Sequence, residues 1–506
     1  MVIFLAIQEN NSTSIIEKSN LDYPSPKDKN VFSLLFLIIA IGSVFAGLNI
    51  ALFFDSLILP EYLRTLLTND YPNKDINEIE NLAGFIYNLL RSLQTFFYLS
   101  TLIIAGAISD TFRSKKFGNR IPIISIGVFL VGISYGSGFF LENIPNAIIP
   151  LFLIYIVKAI GFGFVFSPGQ ALVSELFTKN ERGWAGLGLA FTGGAGNAIG
   201  MILQVFFGVD YALIMFATGI LVIILGTVMF IITPKKNPPY KPEKSALQEI
   251  LSTPKYVMFI GSATSQRTDN YTQNAMKNSF LFFFLVQMCW GAATYILNAN
   301  FALFVGAINA RPEYKIMFNA TQVMLVLMIF AGLFAFPAGL IIRYIGKTKA
   351  GMFGSLLLGL STFILSRENA WNNYGMIIIL MLAGAGFIII SSVTVALPAD
   401  LVPRGKEGQF MALFILANNF PTPIAASLSA YIIASGSINP LENYSTLFLI
   451  CTLIEFIALG LLTFVHYESV LDSEYREFQY RFLRLKGIIE HNVEKINSRK
   501  KLRRFR

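Results

Sequence analysis

Long apolar runs, each closed by a short polar turn, recur from one end of this sequence to the other. A helix needs about 20 mostly apolar residues to cross the hydrocarbon core of a bilayer. Runs of that kind stand at 32–58, 84–108, 121–141, 147–167, 185–207, 211–232, 279–305, 320–342, 350–366, 374–397, 409–434 and 444–465. The pattern predicts an all-α integral membrane protein of about twelve transmembrane helices, because only a helix or a closed barrel satisfies its backbone inside lipid. A polar segment precedes the runs, and a stretch rich in proline and lysine separates the first six from the last six. The expected organisation is an amino-terminal tail (1–30), a six-helix bundle (31–232), a linker (233–278) with one surface helix at 246–251, a second six-helix bundle (279–466) and a basic tail (467–506).

Composition agrees with the pattern. Of 506 residues 54% are hydrophobic and only 14% charged, whereas a soluble chain carries about a quarter charged. Mean hydropathy is +0.60. The net charge of +9 is spread over short turns and the tail, not gathered on one amphipathic face, so it points to lipid headgroups and away from nucleic acid. With the amino terminus inside, the turns 109–120, 176–184, 343–349 and 401–408 and the linker carry eighteen Lys and Arg against five on the other side. That asymmetry places both termini in the cytoplasm of a multi-pass cell-membrane protein. The final cluster, Arg499 to Arg506, is expected to lie on anionic lipids of the inner leaflet. Cys289 and Cys451 read as small buried hydrophobes, and His466 and His491 have no metal-ligand spacing. With no phosphate-cradling Gly-x-x-x-x-Gly-Lys motif either, neither an enzyme nor an ATP-driven pump is expected.

The two halves echo each other. Ser174-Glu175-Leu176 before Gly183 matches Ala399-Asp400-Leu401 before Gly408 at a constant offset of 225, and Gly106 to Asp110 is matched by Gly339 to Arg343. Two six-helix repeats of like orientation are what parallel-repeat transporters use. The turn between the second and third runs, Gly106-Ala-Ile-Ser-Asp110-Thr-Phe-Arg113-Ser-Lys-Lys-Phe-Gly-Asn-Arg120, resembles the corresponding loop of the major facilitator superfamily: a glycine, an aspartate four residues on, then a basic cluster. Its form is closest to the glycoside–pentoside–hexuronide and sucrose-type branch, and Ala396-Leu-Pro-Ala-Asp400-Leu-Val-Pro-Arg404 through Gly408-Gln-Phe-Met411 is similar to a later turn of the same group. Thr111 and Asn119 stand where that branch carries basic residues. The resemblance implies a cytoplasmic gate formed by Gly106, Asp110 and Arg113, with Glu175, Arg182, Asp400 and Arg404 as its analogues in the other turns.

Ionisable residues inside a span are costly unless they face a partner or a cavity. Asp55, Arg91, Lys158 and Glu455 qualify. Asp55 reads either as a helix cap near the outer end of the first span or as a cavity group. Asn88, Arg91, Gln94 or Thr95, and Tyr98 draw a polar stripe at helical spacing along the second span, and Lys158 sits near the middle of the fourth. Gln287, Trp290, Thr294 and Asn298 form a similar stripe on the seventh; Asn197 and Gln204 on the fifth and Asn418 and Asn419 before Pro421 on the eleventh complete a polar lining. Amides and an aromatic face suit the hydroxyls and ring of a sugar, and they equally suit helix interfaces glued by amides. The expected function is secondary active transport of a small polar solute, a sugar or glycoside moved with a coupled proton or sodium ion, by a monomer that needs no other cofactor. An organic anion is the rival cargo, since Arg91 and Lys158 are both basic. A non-transporting membrane sensor of the same fold is the rival class.

Overall fold

A computed structural model of the chain describes residues 30–72, 76–144, 146–178, 181–208, 210–234, 245, 247–248, 270–309, 320–402, 407–435 and 440–465. The expected tails to residue 29 and from 466, most of the linker, and Arg404 lie outside the described residues. Among the described residues twelve helices are long and apolar enough to cross a membrane: Val31–Phe53, Leu89–Thr111, Ile121–Leu141, Ile148–Leu176, Arg182–Phe207, Tyr211–Ile232, Asn278–Asn298, Leu325–Ile345, Lys347–Leu365, Asn373–Leu401, Glu407–Ile433 and Leu441–Leu462. They are called the first to twelfth spans below. No strand occurs among the described residues, where the one β-bridge joins Ser114 and Gly118.

The outer surface is apolar to a degree that water would not tolerate. Phe96, Phe129, Ile149, Val205, Phe206 and Leu333 are each more than half exposed, as lipid-facing side chains are and as those of a soluble protein are not. Inside, the first span packs on the fifth and sixth, the second on the fourth, and the third on the fourth and sixth; the seventh packs on the eleventh and twelfth, the ninth on the tenth and twelfth, and the eighth on the tenth. Those contacts make two groups of six, in agreement with the expected halves of the fold. The groups meet through the fifth span against the eighth and tenth, and the eleventh against the second and fourth.

Because lipid gives apolar side chains no reason to prefer one another, hydrogen bonds and close backbone approach carry much of the helix pairing. Ser43 Oγ reaches the Leu225 carbonyl at 2.8 Å and so ties the first span to the sixth. Thr362 and Thr452 share a hydroxyl bond of 2.9 Å between the ninth and twelfth. The first span ends in a π-helical turn, Phe54–Ile58, just before Pro60 near the start of the helix Leu59–Asp70. A widened turn beside a proline that has no N–H to give is a local cost that often marks a working residue, and this turn carries Asp55.

The eleventh span is interrupted: its helices Glu407–Asn419 and Thr422–Ser435 flank Phe420 and Pro421. The proline pair Pro421 and Pro423 accounts for the break.

Candidate functional site

Asp55 is fully buried at the meeting of four spans. Lys158 Nζ donates to both carboxylate oxygens at 2.8 Å. Tyr155 donates its hydroxyl to Oδ1 at 2.8 Å, and Gln94 donates Nε2 to Oδ2 at 3.2 Å. The Tyr135 hydroxyl lies 2.6 Å from Oδ1 and 2.7 Å from the Ala51 carbonyl, so its single proton has two acceptors in reach. Arg91 Nη1 stands 3.7 Å from Oδ2 and, unlike the others, keeps a third of its side chain exposed. Tyr295 of the seventh span, in the other group of six, lies within electrostatic range of that guanidinium. The Lys158 ammonium also rests 3.1 Å from the ring centroid of Tyr155. The cluster thus holds one carboxylate and two cations, the second of them partly exposed and near the seventh span.

Other residues of the expected lining take different places. Asn418 Nδ2 donates to the Gln287 side chain at 3.2 Å and to its carbonyl at 3.3 Å, while Gln287 donates to the Thr394 carbonyl at 3.3 Å. This amide seam joins the seventh, tenth and eleventh spans. A Cβ on Gly291 would overlap the Asn418 carbonyl, so the seam needs glycine there. Trp290 is buried and donates its indole N–H to Ser355 on the ninth span at 2.7 Å, which sets its ring in the packed core. Asn419 bonds back to the Ile415 carbonyl. Asn298 is exposed, and Asn197 and Gln204 are half-buried on the fifth span. Asn88 lies in the helix Ile76–Thr111, its side chain outside the described residues.

A second constellation closes the end of the bundle that carries the 109–120 turn. Gly118, at φ 76°, lets the turn double back. Arg120 therefore returns beneath the second span, where its Nη1 donates to Ser109 Oγ at 2.7 Å. Its Nη2 lies 2.9 Å from Asp110, 2.7 Å from Glu175 and 3.5 Å from Glu407. Burial opposes the guanidinium charge, but Glu175, Asp110 and Glu407 hold the Arg120 pKa above its ordinary value. Asp110 meanwhile accepts the backbone N–H of Gly408 at 2.9 Å and of Gln409 at 3.0 Å. An anion is thereby seated on the unsatisfied amino terminus of the eleventh span, where the helix dipole favours it. Ser167 Oγ donates to the Gly408 carbonyl at 2.7 Å. A Cβ on Gly106 would lie 2.6 Å from that same carbonyl oxygen, so the glycine is what allows the second and eleventh spans to touch.

Asp400 is the hub of a companion cluster. Arg182 Nη1 binds its Oδ1 at 2.7 Å and the Ala399 carbonyl at 2.8 Å. Lys347 pairs with Oδ2. Arg182 Nη2 also donates to the Ser174 carbonyl at 2.8 Å, covering the open end of the fourth-span helix. Both clusters join one group of six to the other at the same end of the molecule.

Asp110, Glu175, Arg182, Asp400 and Gly106 are brought together here. Arg113 instead donates to the Phe112 carbonyl at 2.6 Å, and Arg120 holds the central place. Sequence reasoning counted Arg120 only as part of the basic turn and missed Glu407, Lys347, Tyr135 and Tyr155 as site residues. The internal repeat held a signal for Glu407: it stands 225 residues after Arg182, the offset that relates Glu175 to Asp400.

A family model described as Major Facilitator Superfamily matches residues 35–311 and 283–486. No curated protein matches the chain. Among solved structures, a bacterial homologue of the iron transporter ferroportin in an outward-facing state superposes with a TM-score of 0.62 at 13% identity, over 86% of this chain and 99% of that one. The human organic anion transporter MFSD10 (TETRAN) does so with 0.61 at 13%, over 85% and 100%. The proton:xylose symporter XylE bound to 6-bromo-6-deoxy-D-glucose gives 0.55 at 13%, over 84% and 95%. Likeness at these identities is one of fold.

Proposed function

The chain belongs to the major facilitator superfamily, and from that premise we propose that it is a proton-coupled secondary transporter of a small hydroxylated organic anion, of the sugar-acid kind. Membership of that superfamily points to transport rather than catalysis, and the observation that supports the finer reading is the Asp55 cluster. Asp55 and Lys158 neutralise each other, which leaves Arg91 as the partly exposed cation nearest the other group of six. A carboxylate on the solute matches a guanidinium in geometry and charge. The exposed Asn298 and the half-buried Asn418 offer amides for hydroxyls from the other group of six.

Coupling follows from the same atoms. A proton on Asp55 breaks its pair with Lys158, and a buried pair that loses one charge costs about 3–5 kcal/mol. The cost falls on one step of the cycle because the ammonium already rests on the face of Tyr155, a second partner that persists when Asp55 is neutral. Two states of the cluster, ion-paired and protonated, supply the bistable element that alternating access needs. On the positive-inside reading the closed end is cytoplasmic, so the conformation described is outward-facing, with the protein in the cell membrane and both termini inside. Rocking the two groups of six would break the Asp110 and Asp400 clusters and admit the cytoplasm.

A second reading, a neutral sugar or glycoside, is favoured by the Gln287–Asn418 amide pair and by the turn's likeness to the glycoside–pentoside–hexuronide branch. Uptake into vesicles of purified protein separates them. Sugar acids should be taken up under an inward proton gradient, Arg91→Ala should abolish that uptake, and Asp55→Asn should leave exchange but no gradient-driven accumulation. Uptake of neutral sugars that ignores Arg91→Ala selects the second reading, and accumulation by Asp55→Asn equal to wild type removes the coupling role.

A further inference from the structure

Glu455 belongs to neither cluster. It lies in the helix Pro440–Leu462 of the twelfth span and is completely buried. A Cβ on Gly359 of the ninth span would touch its own Cβ at 3.4 Å, so no space separates the two helices at this level. No hydrogen bond of ordinary geometry reaches either carboxylate oxygen among the described residues. The polar side chain that faces the carboxyl is Ser355, whose oxygen already accepts the indole N–H of Trp290. The titratable groups around it are two thiols, Cys289 on the seventh span and Cys451 on its own helix. Neither thiol brings positive charge, and the ninth-span lysines, Lys347 and Lys349, lie two turns away at its start.

Among the described residues no cation pairs with a carboxylate in this place, and its full burial keeps it from bulk solvent. The cost of keeping it ionised is several kcal/mol and up to tens in the limit of an isolated ion, whereas the neutral acid costs only an unmade hydrogen bond. The chemistry that relieves the site is therefore a bound proton. We propose that Glu455 is a second proton-binding site, a neutral carboxylic acid held between the seventh, ninth and twelfth spans and separate from the Asp55 pair. The hydroxyl of Ser355 has given up a lone pair to Trp290 and keeps its own hydrogen, which suits the carbonyl oxygen of the acid. The order is Trp290 to Ser355 to Glu455, one polar chain through an otherwise apolar seam. Trp290 is next to Gly291, so this chain backs the helix whose other face forms the amide seam with Asn418.

Infrared absorption of the full-length protein in lipid vesicles at neutral pH tests the assignment. The difference spectrum between wild type and Glu455→Gln should lose one protonated-carboxyl C=O band, which deuterium exchange of the wild type shifts, and should leave the ionised-carboxylate bands unchanged. Loss of an ionised-carboxylate band instead would overturn the proposal. Should Glu455→Gln not fold, Glu455→Asp answers the question in its place: an acid C=O band displaced from its wild-type frequency upholds the proposal, and an unchanged acid region with a displaced ionised-carboxylate band overturns it. Two variants, one neutral and one that buries an unpaired charge, give an independent reading. Glu455→Gln, which mimics the neutral acid, should melt close to wild type, and Glu455→Lys far below it; the reverse order excludes a bound proton.

Discussion

Removing the Lys158 ammonium would leave Asp55 charged, buried and held only by two tyrosine hydroxyls, a glutamine amide and a distant arginine. Lys158→Ala should therefore cost about 3–5 kcal/mol of stability, because one half of a buried pair is worse than none. The double variant Asp55→Asn with Lys158→Met should recover most of that loss in thermal melts, and no pH-driven uptake should return with it. If the single and double variants melt together, the pair is not what holds this part of the bundle. Asp110 makes a different kind of contact, since its partners are backbone N–H groups and Arg120. Asp110→Ala should tilt the equilibrium toward an open cytoplasmic end by about 3 kcal/mol, on the order of a hundredfold in the ratio of states. Ala412, fully buried where the eleventh span meets the second, is the reporter: a cysteine there should react with a cytoplasmic thiol reagent much faster in Asp110→Ala than beside the native aspartate.

Among elements, spans could be read from the sequence while their partners could not. A run of about 20 apolar residues announces itself because the bilayer sets its length, and the expected ends fall within a few residues of the helices except where the fourth continues to Leu176, the second begins its helix at Ile76 and the seventh begins at Asn270, inside the expected linker. The choice of Arg120 over Arg113 depended on how a turn with Gly118 at positive φ folds back, which residue spacing alone does not encode. Tyr135 and Tyr155 were hidden for another reason: an aromatic ring in an apolar run looks like lipid-facing bulk until its hydroxyl is seen to reach a carboxylate. Close approach is likewise invisible in the run itself. Gly291→Ala should push the seventh and eleventh spans apart and cost about 1–3 kcal/mol, as overpacking does. Gly460→Ala, with nothing within 4 Å of the added carbon, should leave the melting temperature unchanged or raise it slightly, because alanine suits a helix better than glycine, and equal losses from both would show that contact with the eleventh span is not the cause.

At the scale of the whole molecule the two closure clusters are repeats with their charges exchanged. One has a cation, Arg120, among three carboxylates; the other has a carboxylate, Asp400, between Arg182 and Lys347. The internal offset of 225 made the repeat visible, yet the reversal of sign came into view only once the turns were folded. Arg182→Gln together with Asp110→Asn should unfasten both clusters. Spin labels placed on the two groups of six should then report a longer distance at the cytoplasmic end and a shorter one at the outer end, and no change in either pair would mean that closure rests on apolar packing alone.

Both fastenings sit at one end, so for as long as they hold, each span turns as a lever about that end. A span of 20 residues is about 30 Å long, so a rotation of about 10° around the pivot sweeps the far end through about 5 Å. Shifts of a fraction of an ångström in the bonds of Asp110 and Asp400 are thus magnified many times at the opposite mouth. The short arm carries the forces and the long arm carries the travel, and a few charged atoms at the fastened rim set the aperture at the other mouth.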